Sequence, residues 1–218
     1  MLALAIRFVR GQQRNATNAR ALVRAGRYHR SHFEGANMVI DAQPRYTRTA
    51  IFLHWLVLAL LIAQYTIAWT MPHIGRNTPV TTLISLHFSI GVLILGVIIV
   101  RLIWRVIHGE PTPEAGVPPW QVRSARVIHW LLYLLLVVVP VLGWINASYR
   151  GMPVTFFGLV QVPQLVATHD AAWRWTGDIH TLVAEYAILP LVGLHVAAAL
   201  YHYFIRRDRV LQRMLPGV

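Results

Sequence analysis

Four long apolar stretches, each with a histidine near one end, constrain the fold of this chain more than any other feature. They run from about Thr49 to Thr70, Leu83 to Ile107, Val127 to Ala147 and Ile179 to Ile205. As helices, all four are long enough to cross about 30 Å of hydrocarbon. Strands are disfavoured because the apolar residues are continuous rather than alternating. The sequence therefore predicts an all-α fold, a membrane bundle of four helices.

The composition agrees with a membrane protein. Hydrophobic residues make up 56% of the 218 residues and charged residues only 13%, an apolar excess too large for an ordinary soluble domain. The net charge is +12 and every basic residue other than histidine is arginine. Those arginines mostly flank the apolar stretches, which is typical of topology signals and does not favour a nucleic-acid partner.

The arginine distribution predicts the orientation of the chain. Nine arginines precede the first stretch, and more follow the second and fourth stretches. The other side has only Arg76, Arg150 and Arg174. Because arginine-rich segments stay on the cytoplasmic side, we expect a multi-pass protein with both termini in the cytoplasm.

Residues 1–43 differ from the rest of the chain. They form an Arg-rich extension with no apolar run long enough for a signal peptide. We expect an extended or mis-assigned start, since Met38 is a second candidate for the first residue. A disordered or surface-lying tail is the alternative. Residues 44–216 form the predicted transmembrane domain.

The histidines fall into two pairs at matching depths in the membrane. His54 and His195 lie near the inner side, while His87 and His180 lie near the outer side. Neutral imidazole is a common axial ligand of haem iron, and helix bundles hold cofactors between facing helices. Each pair is therefore predicted to clamp one planar macrocycle, giving two haems. A hydrogen-bonded packing role is the alternative for any single histidine.

Other residues near the pairs are candidates for supporting roles. Gly91 follows His87 on the same helical face and leaves room for a porphyrin, although small residues are also common at membrane helix contacts. Arg101 and Arg105 suit either haem propionates or lipid phosphates. His202 is either an interface residue or part of a quinone or proton site. His129 either has a structural role or donates a hydrogen bond to a propionate or quinone. Glu185 either relays protons or forms a hydrogen bond within the bundle.

Several motifs resemble those of the bacterial cytochrome b561 family, and the match covers residues 44–216. The motifs are Ile51–Trp55 (IFLHW), Leu86–Gly91 (LHFSIG), Val100–Arg105 (VRLIWR), Glu110–Pro113 (EPTP), Arg126–Tyr133 (RVIHWLLY), Pro140–Gly143 (PVLG), Tyr149–Leu159 (YRGMPVTFFGL), Gly193–Tyr203 (GLHVAAALYHY) and Arg207–Pro216 (RDRVLQRMLP).

The resemblance implies four helices with two b-type haems that pass electrons across the membrane, and it implies that this membrane is the bacterial inner membrane. It places the iron ligands at His54, His87, His180 and His195, in agreement with the depth pairs. The interval of 15 positions from His180 to His195 is one residue longer than the resemblance implies. A local kink or bulge near Pro190 would absorb the extra residue.

Three functions remain open at this point. In the first, a small outer-side donor such as superoxide passes electrons through the haems to ubiquinone. In the second, the chain is a haem b subunit that links a separate dehydrogenase or hydrogenase to the quinone pool. In the third, it is a haem-free transporter or anchor. Bis-histidine iron has no open coordination position, so the resemblance favours electron transfer over oxygen-atom chemistry.

Overall fold

The computed structural model describes residues 45–75 and 78–217, so the predictions for residues 1–43 and for Arg76 lie outside it. Within the described ranges all four predicted stretches are helical and are long and apolar enough to cross a membrane. The first three are α1 (Arg48–Thr70), α2 (Thr82–His108) and α3 (Pro119–Tyr149). The fourth combines α4 (Thr176–Val183), a π-helical turn (Ala184–Ile188), α5 (Leu189–Tyr201) and a second π-helical turn (His202–Arg206). The predicted all-α membrane bundle is confirmed.

Local sequence signals set the helix ends. The Thr47 hydroxyl accepts a hydrogen bond from the amide of Ala50, and Thr81 caps α2 in the same way. Gly109 ends α2 with a φ of 69°, a conformation that glycine adopts without strain. The proline-rich link that follows is not helical, and α3 begins at Pro119.

One cluster of buried side chains joins the four spans. Each span contributes to this cluster, which contains Val57, Ile94, Ile98, Tyr133, Leu136, Val139 and Ile188. Many other large apolar side chains of the helices are exposed, including Phe52, Ile62 and Phe204. Because lipid is as apolar as these side chains, close packing rather than burial from water holds such helices together.

The bundle has two ends, which we name by what covers them. The loop end carries the long connection between α3 and α4. A short antiparallel hairpin interrupts this connection, with β1 at Thr155–Phe156 and β2 at Val160–Gln161. The buried Ser89 hydroxyl on α2 donates to the carbonyl oxygen of Thr155 at 2.9 Å and accepts from the amide of Phe157 at 3.0 Å. The hairpin, absent from the sequence prediction, is thereby fixed against α2.

The tail end carries Arg45 and the C-terminal segment. The Trp55 indole on α1 donates to the carbonyl oxygen of Met214 at 2.8 Å, and Arg45 donates to that of Gln212 at 3.1 Å. Arg213 donates to the carbonyl oxygen of Thr112 in the link between α2 and α3 at 2.7 Å. The C-terminal segment is therefore fastened to two other parts of the bundle.

Candidate functional site

The structure brings both predicted histidine pairs together. At the loop end the ring centroids of His87 and His180 are 6.1 Å apart, with an angle of 81° between the rings. At the tail end the centroids of His54 and His195 are 6.0 Å apart, with an angle of 70°. His180 and His195 lie on different turns of the fourth span, and their partners His87 and His54 lie on α2 and α1.

The ring separations fit a metal ion held between two imidazoles. Two metal–nitrogen bonds of about 2 Å each use about 4 Å of the distance between the centroids. The remainder, about 1 Å on each side, matches the distance from a ligating nitrogen to the centre of its own ring. Both pairs therefore have the spacing that a bis-histidine haem iron requires.

His180 is oriented by its surroundings. Its Nδ1 lies 2.9 Å from the carbonyl oxygen of Val139, so Nδ1 carries the proton and donates, which leaves the Nε2 lone pair free for a metal. Gly143 on α3 permits this position, because a Cβ added there would lie 2.9 Å from Cε1 of His180. Sequence reasoning missed Gly143 as a site residue, although it ends the motif Pro140–Gly143.

His87 has an incompletely satisfied polar neighbourhood. The Gln64 amide nitrogen donates to the His87 carbonyl oxygen at 3.1 Å and lies 3.4 Å from Nε2 of the same residue. Among the described residues, Nδ1 of His87 and Oε1 of Gln64 are buried without a hydrogen-bond partner. Unpaired buried polar atoms cost about 1–3 kcal/mol each, so they are expected at sites that receive a polar group or a metal.

A cavity of about 390 Å³ lies beside the loop-end pair. His87, His180, Gly91, Gly143 and Glu185 all contribute to its lining. Its volume is in the range of small-molecule and cofactor sites. Gly91, predicted to make room, lies against Gln64, where an added Cβ would be 3.6 Å from the amide nitrogen. Glu185, left unassigned by the sequence, is placed at this cavity.

The tail-end pair has a third histidine beside it. The ring centroid of His129 on α3 is 5.3 Å from that of His195, closer than His54 is. This separation is shorter than the one that two imidazoles holding one iron would need, whereas the 6.0 Å between His54 and His195 meets it. The geometry therefore favours a supporting role for His129, as the sequence suggested.

The two predicted arginines differ in their partners. Arg101 donates from Nε to the Tyr133 hydroxyl at 2.9 Å and from Nη1 to the Ala50 carbonyl oxygen at 3.1 Å. Arg105 is paired with the carboxylate of Glu110 and lies over the ring of Tyr133. Within the described part of the chain Arg101 has no carboxylate partner, so it is better suited than Arg105 to an added carboxylate such as a propionate.

The fourth span contains the bulge that its histidine spacing requires. A π-helical turn at Ala184–Ile188 lies between His180 and His195 and absorbs one extra residue. It precedes Pro190, which cannot donate a backbone hydrogen bond inside a helix. The Tyr65 hydroxyl on α1 donates to the carbonyl oxygen of Ala184 at 2.7 Å, which fastens the start of the turn to a neighbouring helix.

His202 has a carboxylate partner that sequence reasoning missed. Its Nδ1 lies 2.6 Å from Oδ2 of Asp208, and the other oxygen of Asp208 accepts from the amide of Val210 at 3.1 Å. Arg207 has a φ of 53°, and the chain turns back there. The sequence signal was only the short interval between His202 and Asp208, which carries no information without that turn.

Comparisons with known proteins agree with the motifs. A family model described as prokaryotic cytochrome b561 matches residues 45–217. The cytochrome b561 homolog 2 of Escherichia coli is 30% identical, over 78% of this chain and 91% of the relative. The probable superoxide oxidase CybB of Yersinia pestis is 31% identical, over 79% of this chain and 96% of the relative. Cytochrome b562 of Cereibacter sphaeroides is 31% identical, with the same coverage of both chains.

Proposed function

The chain belongs to the prokaryotic cytochrome b561 family, and from this premise we propose that it carries two haems b and passes electrons between the two ends of its bundle. Membership makes it a haem b-containing, membrane-bound electron-transfer protein of bacterial type. The third hypothesis, a haem-free transporter or anchor, is not retained for this reason. We further propose that the membrane is the inner membrane and that the tail end faces the cytoplasm.

The observation that carries the proposal is the spacing of the two histidine pairs, 6.0 Å and 6.1 Å between ring centroids. His54 and His195 would hold one haem, and His87 and His180 the other. Haem iron supplies one-electron chemistry when bound. The Val139 carbonyl oxygen fixes one ligand's ring, and Arg101 offers a positive charge near the tail-end pair.

We propose superoxide as the donor at the loop end and ubiquinone as the acceptor at the tail end. The support for superoxide is the printed name of the Yersinia pestis relative. Two superoxide ions would each release one electron and become dioxygen. One ubiquinone would take up both electrons together with two protons from the tail-end side and become ubiquinol. No oxygen atom is transferred, which suits an iron that two histidines would hold.

His202 is the proposed proton donor to the quinone. Its Nδ1 is held by Asp208, so Nε2 is the ring nitrogen left to exchange a proton with a bound quinone. The alternative role is structural, because the same contact fastens the end of the fourth span to the C-terminal segment. The rate at which a short-chain quinone reoxidises reduced haem in a His202 variant separates the two roles.

The second candidate function is a haem b subunit for a separate dehydrogenase or hydrogenase. The exposed apolar tip of the loop-end hairpin favours it, since Leu159 is 82% exposed and Val160 62% exposed at the donor end. Exposed apolar patches of this kind suit the docking of another protein. In this case a protein donor replaces superoxide while the two haems and the quinone remain.

Stopped-flow mixing of the purified full chain with superoxide tests the donor. We expect superoxide to reduce the haem in the mixing experiment, and we expect a short-chain ubiquinone added afterwards to reoxidise it. Fully haem-loaded protein that superoxide does not reduce would remove the oxidase proposal and leave the subunit function. The haem spectrum recorded before mixing shows separately whether the protein is loaded.

A further inference from the structure

Arg150 lines the loop-end cavity, together with His87 and His180. It follows the last residue of α3 and is half-buried. Its Nη1 donates to the carbonyl oxygen of Gly75 at 3.0 Å, and its Nε donates to Oδ1 of Asn146 at 3.2 Å. Arginine carries five N–H donors in a planar fork, so most of them remain for another group.

The charge of Arg150 is not neutralised within the described part of the chain, where it forms no ion pair with a carboxylate. Asp178 and Glu185 line the same cavity without pairing with it. No other lysine or arginine of the described residues lines this cavity. A guanidinium keeps its charge in a partly buried position and is most stable there with an anion.

The guanidinium is held in a fixed orientation. The end of α3 is tightly packed, with Ala147 and Ser148 each only 1% exposed. Asn146 lies directly against Gly177 at the start of α4, where an added Cβ would be 2.8 Å from Oδ1. Three segments of the loop end therefore set the direction of the Arg150 side chain before any ligand binds, which lowers the entropic cost of binding.

We propose that Arg150 is a carboxylate-binding residue, and that the carboxylate is a propionate of the haem held by His87 and His180. The inference rests on the proposed function, since it requires that haem to be present. A planar guanidinium pairs with a carboxylate through two parallel hydrogen bonds, and a partly buried position strengthens the pair relative to one in water. Asp178 and Glu185 would repel a propionate, which leaves Arg150 as its partner at this cavity.

The experiment compares haem b with its dimethyl ester, in which both propionates are uncharged. The experiment uses the full chain with His54→Ala, which should keep only the loop-end haem. This protein is stripped of haem and reloaded with either compound. The rate at which it loses the compound to a scavenging apoprotein is then measured. Without Arg150→Gln, the ester should leave faster than haem b. With Arg150→Gln, haem b should be lost about tenfold faster, and the difference in rate between haem b and ester should disappear.

Two further variants make the test specific. Arg174→Gln removes an exposed arginine at the same end that does not line the cavity, and it should preserve the full difference between haem b and ester. Arg150→Lys keeps the charge without the planar fork and should preserve part of it. If Arg150→Gln does not insert, the lysine variant carries the test, since a purely structural role predicts equal losses of haem b and ester.

Three results would overturn the proposal. Equal weakening of haem b and ester by Arg150→Gln would mean that Arg150 only fastens the loop end together. A rate of loss that changes with chloride or nitrate concentration, equally for haem b and its ester, would mean that Arg150 binds a free anion. If the His54→Ala chain shows no bis-histidine haem spectrum at all, the proposed ligation itself is wrong and the Arg150 proposal falls with it.

Discussion

Removing one residue from the π-helical turn should preserve both haems, whereas adding one should remove one of them. In an uninterrupted α-helix the 15 positions from His180 to His195 give a net rotation of about 60°. An interval of 14 gives about −40°, so the two spacings differ by about 100° in the direction of the second imidazole. The turn at Ala184–Ile188 absorbs one residue, so His195 points in the direction that an interval of 14 positions would give it in an uninterrupted helix.

Deletion of Ala187 is therefore expected to convert the turn into regular helix with both imidazoles still directed at their partners. Insertion of one alanine after Ala187 should rotate one histidine about 100° away from its pair. Pro190 complicates the deletion, because a proline inside a regular α-helix costs about 3 kcal/mol. Both changes are therefore made with Pro190→Ala, which is also measured alone as the control.

The pyridine haemochrome assay, normalised to protein, gives the haem content of each variant. We expect the same content for the control and the deletion, and about half of it for the insertion. The same loss of haem in both variants would mean that the turn does not set the ligand phase. Retention of two haems after the insertion would contradict the reasoning as well.

Three further changes have sharp expected outcomes. Gly143→Ala should weaken binding of the loop-end haem alone or remove that haem, because the added Cβ would lie 2.9 Å from the His180 imidazole. Gly96→Ala is the control: its added Cβ would have no atom within 4 Å, and it should leave the haem content unchanged in the same assay. Ser89→Ala should lower the free energy of unfolding by about 1–3 kcal/mol in thermal denaturation, and Thr66→Ala, an exposed helical hydroxyl, should change it little. His202→Ala should keep both haem spectra but slow reoxidation of reduced haem by a short-chain quinone; an unchanged rate would leave His202 a structural role, and loss of haem would make it a ligand.

Hydropathy and depth were enough to predict the spans and the membership of the two histidine pairs. An apolar span has few ways to cross a bilayer, so the position of a histidine along it fixes its depth. The direction in which a side chain points around its helix axis is harder to predict from sequence. The extra residue before His195 predicted a bulge near Pro190, but the structure has the turn at Ala184–Ile188, before the proline. The Tyr65 hydroxyl of a neighbouring helix donates to the carbonyl oxygen of Ala184 at the start of this turn, and sequence patterns do not encode such a contact between helices.

Contacts between distant segments were not predictable from the sequence. Arg101 and Arg105 were equivalent candidates, yet the link between α2 and α3 brings Glu110 to Arg105 alone. His129 had no partner by depth pairing, although α3 places its ring 5.3 Å from that of His195. Gly143 acquired a role only once α3 and the fourth span were packed together. Each case depends on helix rotation or loop path, which single-sequence patterns do not encode.

The most direct measurement is the haem content and redox titration of four single variants, in which His54, His87, His180 or His195 is replaced by alanine. The parent chain should bind two haems with separate midpoint potentials. Loss of His54 and loss of His195 should remove the same haem, and loss of His87 and loss of His180 should remove the other. If the His54 and His180 variants instead lose the same haem, or if the parent chain binds only one, the assignment of the two pairs is wrong.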